Sequence, residues 1–268
     1  MLFTKGDLNM ITSMDTAFCL RGRTAIVTGG DTGIGFGIAE AMAQEGANIA
    51  IFCRNETRAK DALEKLAKYE GKARFYRTDI TDFENCKASV EAVLADYGKI
   101  DILVNNGGVA AMGGILDYPE DLGEWFRCID VDLNGAFRLC YLVGKHMRDQ
   151  GKGKVINVTS NSGEMCNIPS FTPYNVAKAG LNRLTKCLAW EWGPYHINVN
   201  AIAPGYTHSN LSSGAPKEVE EQMTARIPYG RYGEPIEIGA LAVYLASDAS
   251  DIMTGAVLTI DGGYSLAR

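Results

Sequence analysis

Histidine is scarce in this chain, with 3 among 268 residues, and no two of its 7 cysteines stand in a C-x-x-C arrangement. The cysteines (19, 53, 86, 128, 140, 166 and 187) are odd in number and scattered, which excludes a disulfide framework or a zinc site as the organising device. They fit a reducing compartment, and Cys53, Cys140 and Cys187, inside apolar runs, read as small core residues. His146, His196 and His208 show no ligand spacing, so no metal is expected. No apolar run reaches the ~20 residues of a membrane-spanning helix. The opening MLFTKGDLNMITSMDTAFCLRGR lacks the apolar core and small-residue cleavage site of a signal peptide. Nor is there a block of one charge: 26 Lys and Arg against 32 Asp and Glu leave a net charge of -6, which argues against nucleic acid or an anionic membrane as the main partner. The expectation is a cytoplasmic, soluble protein with residues 1–20 as a loosely held lead-in and one domain over 21–268.

What is present is a regular alternation. TAIVTG (24–29), ANIAIFC (47–53), KARFYRTDIT (72–81), DILVNNGG (101–108), KVINVTS (154–160), INVNAIAPG (197–205) and a closing AVLTIDGG read as strands. Between them lie helical patterns: IAEAMAQEG, an asparagine-capped NETRAKDALEKLAKYEG, DFENCKASVEAVLADYG, a long stretch over 121–150, the run from Tyr174 to Trp192, and EPIEIGALAVYLAS. Strands that alternate with helices imply an α/β fold, a parallel sheet covered on both faces by right-handed crossovers. Residues 206–233 have no clear periodicity and are expected to be an irregular, mobile segment beside the substrate.

After the first strand, TGGDTGIG spaces its glycines Gly-x-x-x-Gly-x-Gly between strand and helix. There the backbone can turn tightly and approach a pyrophosphate, which the helix N-terminus stabilises with free N–H groups and its dipole. Gly29, Asp31, Thr32, Gly33, Ile34 and Gly35 are therefore candidate cofactor contacts. At the end of the second strand Arg54 is placed to pair with the 2′-phosphate of NADP, where an acidic residue would instead favour NAD. Asp31 opposes that reading unless Arg54 neutralises it, so NADP is preferred slightly and NAD is the alternative. Asp79, after the third strand, is placed either to accept from the adenine amino group or to cap the next turn.

Tyr174 and Lys178 lie four residues apart in YNVAK, on one face of a helix, which sets an ammonium beside a phenol. The ammonium favours the phenolate and so lowers the tyrosine pKa toward useful pH. Ser160, or else Ser162, would hold a carbonyl or alcohol oxygen against the phenol.

Taken in order, TGGDTGIG, Asp79, NNGG, Asn134 in VDLNGAF, Ser160, YNVAK, APG and IDGG resemble the short-chain dehydrogenase/reductase family from about Leu20 to the end. The resemblance implies a doubly wound Rossmann fold with a seven-stranded parallel sheet and a catalytic set of Asn134, Ser160, Tyr174 and Lys178. It implies cofactor contacts at Ile80, Asn106, Gly107, Pro204, Gly205 and Ser209 as well, with Tyr174 and Lys178 also touching the cofactor and Asn134 holding a water that links Lys178 to solvent. Gly107 stands where the family usually has alanine, and Ser209 where it often has threonine. The implied reaction moves hydride between a nicotinamide and a secondary alcohol or ketone.

The polar residues Asn161, Ser162, Glu164, Asn167 and His208 point to a sugar, sugar acid or polyol, and the chain is similar to the gluconate 5-dehydrogenase branch. A 3-oxoacyl carrier-protein reductase is the runner-up, with a steroid or bile-acid dehydrogenase behind it. A nucleotide-sensing protein without turnover is the reading from a different class. The resemblance further implies that residues 121–149 and 174–192 pack against symmetry mates in a homotetramer, with a dimer as the alternative, and Trp125, Phe126, Phe137, Trp190 and Trp192 are compatible with such an interface.

Overall fold

The structure is a computed structural model, and it describes Met14, residues 16–166, 169–209 and 217–266. Seven strands form one sheet: β1 (Thr24–Thr28), β2 (Asn48–Cys53), β3 (Ala73–Arg77), β4 (Ile102–Asn105), β5 (Gly153–Val158), β6 (Ile197–Pro204) and β7 (Val257–Ile260). Their spatial order is β3-β2-β1-β4-β5-β6-β7, and every pairing is parallel. The order reverses between β1 and β4, so a crevice opens at the carboxyl ends of these two strands. This is a Rossmann-type α/β fold, as the alternation requires. β1 and β4 are buried along their whole length, which is why they read as unbroken apolar runs without period-two alternation.

The helices are α1 (Gly33–Gln44), α2 (Glu56–Leu66), α3 (Phe83–Tyr97), α4 (Gly123–Ile129), α5 (Ala136–Gln150), α6 (Thr172–Trp192), α7 (Lys217–Thr224) and α8 (Pro235–Ala246). One apolar layer joins α1, α2 and α8 to the sheet through residues such as Ile38, Met42, Ala62 and Ile238. The other joins α3, α5 and α6 through Val90, Leu139, Val143 and Leu188. Cys53 and Cys140 are core residues as expected, whereas Cys187 lies exposed on α6.

Two departures from the sequence reading bear on the site. The long helical stretch over 121–150 is interrupted by a π-helical segment, Asp130–Gly135, between α4 and α5. The segment expected to be irregular contains α7, an amphipathic helix with no buried residue, and the ends of the segment are pinned together by Gly233 N–H donating to Tyr206 O and His208 N–H donating to Gly233 O. Tyr206, Tyr232 and Tyr264 pack ring against ring beneath this junction. At the other end of the chain Ala17 and Leu20 are already buried against the body, ahead of the expected boundary at residue 20. Expectations for residues 1–13, Asn167 and 210–216 lie outside the described residues.

Candidate active site

The turn after β1 is built by backbone rather than by side chains. Gly29 has φ +63, and a Cβ on Gly35 would overlap the Gly29 carbonyl oxygen and the Asn106 amide, so the start of α1 sits as close to the strand end as atoms allow. Thr28 ties this turn to the end of β4: its Oγ1 accepts from Asn106 N–H at 2.8 Å and Gly107 N–H at 2.7 Å, and Asn106 Nδ2 donates to Thr28 O at 2.9 Å. With no side chain at Gly107, the Thr28 hydroxyl and Ile80 close the gap. Above them lies a cleft of about 390 Å³, lined by Gly29, Asp31, Thr32, Gly33, Ile34, Arg54, Arg58, Asp79, Ile80, Asn106 and Gly107 at one end and by Tyr174, Lys178 and Ser209 at the other. The glycine cradle and the helix N-terminus fit a dinucleotide pyrophosphate. Gly35 lies below the cleft floor and shapes it without lining it.

At the β2 end the charges pair differently from the sequence reading. Asp31, with its side chain 4% exposed, is held by Arg58 Nε at 2.8 Å, while Arg54 lies 3.7 Å from Asp79 and is 71% exposed. Arg58 was not singled out in the sequence, yet the signal is there. Asn55 caps α2 by accepting from Arg58 N–H at 3.0 Å, which aims the first turn of the helix back over the cleft. Asp79 closes the next turn, its Oδ1 accepting from Thr81 N–H and Oγ1, and it also lines the cleft. Those bonds and Arg54 outweigh its partial burial and hold its carboxyl below the usual value.

The other end is buried. Lys178 and Tyr174 share one face of α6, with the ammonium 5.4 Å from the centre of the phenol ring. Ser160 follows β5 by two residues and sits beside the phenol, where its hydroxyl favours the phenolate. Ser162 donates its backbone N–H to Ser160 Oγ at 3.1 Å, and both serines line a cavity that Tyr174 borders. A second cavity of about 210 Å³ adjoins the first here, lined by Ala110, Met112, Phe171, Tyr206 and the polar run Thr159 to Ser162, with Pro204 and Gly205 at its floor. Tyr174 and Ser209 line both cavities.

Asn134 is not part of this cluster. Its Nδ2 donates to Asp130 Oδ1 at 3.1 Å, on the outer side of the π segment where Arg138 also binds Asp130. The residue that reaches Lys178 is Asp132, whose Oδ1 lies 3.0 Å from the ammonium nitrogen; Lys178 also donates to Val158 O at 3.2 Å. Residues two apart on a helical segment face different ways, so VDLNGAF presents Asp132 inward and Asn134 outward. Glu164 and His208 do not line the second cavity either. His208 packs its ring on Tyr232, and its Nε2 lies 3.8 Å from Glu234, just past the Thr207–Gly233 bridge.

Burial reverses one sequence expectation. It pushes the Tyr174 phenol up, Lys178 pulls it down and Asp132 pushes it up again, so the phenol stays above its ordinary value even with the ammonium beside it. Burial alone would pull the Lys178 ammonium down; Asp132 and then Tyr174 more than offset that and leave it above its usual value.

Comparison with known proteins gives the same picture. A family model described as enoyl-(acyl carrier protein) reductase matches residues 29–265. The NADP-dependent mannitol dehydrogenase of Alternaria alternata is 39% identical over 94% of this chain and 96% of its own length. The D-threitol dehydrogenase of Mycolicibacterium smegmatis is 37% identical over 95% of this chain and 97% of its own. Among solved structures, a gluconate 5-dehydrogenase from Burkholderia cenocepacia in complex with NADP and tartrate superposes with a TM-score of 0.86 at 32% identity, covering 94% of this chain and 98% of that one. With a family model over most of its length and relatives this similar end to end, the chain belongs to the short-chain dehydrogenase/reductase family of oxidoreductases.

Proposed function

We propose that this protein is an NADP-dependent dehydrogenase/reductase that interconverts a secondary hydroxyl and a ketone on a polyol, sugar or sugar acid. The observation that carries the reading is the position of Tyr174: it stands where the two cavities meet, with Ser160 beside it and Lys178 behind it. A nicotinamide bound at that junction supplies or takes the hydride. In reduction Tyr174 donates its proton to the carbonyl oxygen; in oxidation, as phenolate, it takes the hydroxyl proton. Ser160 holds the same oxygen against the phenol. Lys178 keeps the developing phenolate in an electrostatically favourable place and reaches toward the cofactor ribose. Asn106, Gly107, Ile80 and Asp79 are the proposed adenosine-side and bridging contacts, and Pro204, Gly205 and Ser209 those of the nicotinamide.

NADP is supported by the two guanidinium groups, Arg54 and Arg58, that flank Asp31 in the cleft, and by the NADP named with the mannitol and gluconate relatives. A hydroxylated substrate is supported by Thr159, Ser160, Asn161, Ser162 and Ser209 around the second cavity, and by the polyol and sugar-acid names of the relatives. A cytoplasmic homotetramer is part of the same reading; apolar side chains left exposed on α4, α5 and α6, namely Phe126, Phe137, Tyr141 and Trp190, support self-association. No helix among the described residues is long and apolar enough to cross a membrane.

The test is Tyr174→Phe, assayed with NADPH and NADH against a hexitol, a tetritol, an aldonic acid and their ketones, with a β-ketoacyl thioester for contrast. Turnover of a polyol or sugar acid should fall by about 10²–10⁴-fold in the variant, with NADPH affinity held. Unchanged turnover would remove Tyr174 from the chemistry, and activity confined to the thioester would replace the substrate class.

A further inference from the structure

The residue that completes the buried cluster is a carboxylate, and its charge sets a sign. Lys178 is 4% exposed at its side chain and Asp132 0%, so the two charges meet away from water. Asp132 uses both oxygens: Oδ1 faces the ammonium at 3.0 Å, and Oδ2 accepts from Val109 N–H at 2.9 Å in the loop after β4. It therefore ties the cofactor loop to the helix that carries Tyr174.

We propose that Asp132 is a positioning residue that fixes the Lys178 ammonium and cancels much of its charge at Tyr174, so that the tyrosine is held as a proton donor and the enzyme favours ketone reduction at neutral pH. The inference rests on the reaction assigned above to Tyr174 and Lys178. Its reason is charge counting in a dry site. With Asp132 and Lys178 paired, the cluster is neutral while Tyr174 is a phenol and carries one net negative charge once it becomes a phenolate. With the carboxylate gone, the phenolate and ammonium would form the neutral pair instead. The other titratable or charged groups facing the cluster do not change this. Cys128, from α4, has its thiol pushed up to about 12 by burial and then by Asp132, so it stays neutral. Arg127, behind Cys128, is half-exposed and paired with Glu124 at 2.7 Å. Ser160 from the end of β5 is uncharged in the working range.

The sign for pH dependence follows. Reduction needs the phenol and fails as pH rises through the tyrosine pKa; oxidation needs the phenolate and fails as pH falls through it. Removing the Asp132 charge lowers that pKa, so both limbs move to lower pH.

The experiment uses Asp132→Asn in the full chain, with Asp132→Ser as a second variant if the first does not fold. The pH profiles of kcat and kcat/KM are measured in both directions. Independently, the ultraviolet absorbance of the phenolate is titrated in wild type and variant, each against the same protein carrying Tyr174→Phe, which isolates Tyr174 without turnover. The expected result is an acid shift of about one pH unit or more in both the limbs and the phenolate titration, with NADPH affinity retained. If Tyr174→Phe abolishes turnover yet neither the limbs nor the titration move in a folded Asp132 variant, the inference is overturned and the reaction assignment stands. If Tyr174→Phe keeps turnover, the assignment itself has failed.

Discussion

The two ends of the cofactor cleft solve opposite electrostatic problems. At the Tyr174 end every charge is buried, and Lys178 and Asp132 face each other at 3.0 Å with almost no exposure. At the Arg54 end the arginines are 71% and 50% exposed at their side chains, and each leans on a carboxylate, Asp79 or Asp31, across 3.7 or 2.8 Å. Buried ions have already lost their hydration, so their partners and geometry must be right, and removing one leaves the other stranded. Half-exposed ions keep water as a fallback and can exchange partners at small cost, which suits the proposed role of these arginines at the cofactor phosphate. The chemical end is therefore specified by the protein, and the adenosine end remains available to its ligand.

The largest effect that sharpens this contrast is on stability. Lys178→Met leaves Asp132 buried without its partner and should cost about 3–5 kcal/mol of unfolding free energy, read from urea unfolding, with much of it regained in the double variant Lys178→Met with Asp132→Leu. A single variant as stable as wild type would mean that the buried pair is not the constraint claimed for it. Next is Gly35→Ala, which adds a methyl where the Gly29 carbonyl already lies and so must displace the turn after β1. Its expected outcome is loss of NADPH and NADH binding together, by fluorescence titration, in a protein that still folds; unequal loss would place the defect elsewhere.

Smaller and more selective effects belong to the exposed end. Arg58→Ala should weaken NADPH by roughly tenfold, the scale of a lost charge-assisted hydrogen bond, because it removes a phosphate partner and frees the Asp31 carboxylate to repel the phosphate. NADH should be little affected. Arg54→Ala should do the same more weakly, and both effects should shrink as salt is added, since exposed pairs are screened. Equal loss of both cofactors in Arg58→Ala would show that Arg58 serves α2 rather than the phosphate, and a preference for NADH in the wild type would make Asp31 the deciding residue.

Much of the site could be read before any fold was known, because its determinants are local. Tyr174 and Lys178 are one helical turn apart, the glycine turn lies between a strand and the helix it starts, and the central strands are buried on both faces and hence largely apolar. Asp132 was missed for a physical reason: a sequence shows VDLNGAF without the π segment that decides which side chain turns inward. Arg58 was missed because its role needs α2 to be packed over β2 and β3, although the Asn55 cap placed it in the first turn. His208 and Glu164 were read as substrate contacts from their neighbourhood in the chain, and the Thr207–Gly233 bridge sends His208 outward.

The sequence by itself determined the alternation of strands and helices, the tight glycine turn and the setting of Tyr174 and Lys178 on one helix face, since period, spacing and backbone freedom act over a few residues. Only the tertiary structure decided which charges meet. Asp132 finds Lys178 across 46 positions and Asp31 finds Arg58 across 27 because burial, not proximity in the chain, sets the cost of leaving each one alone.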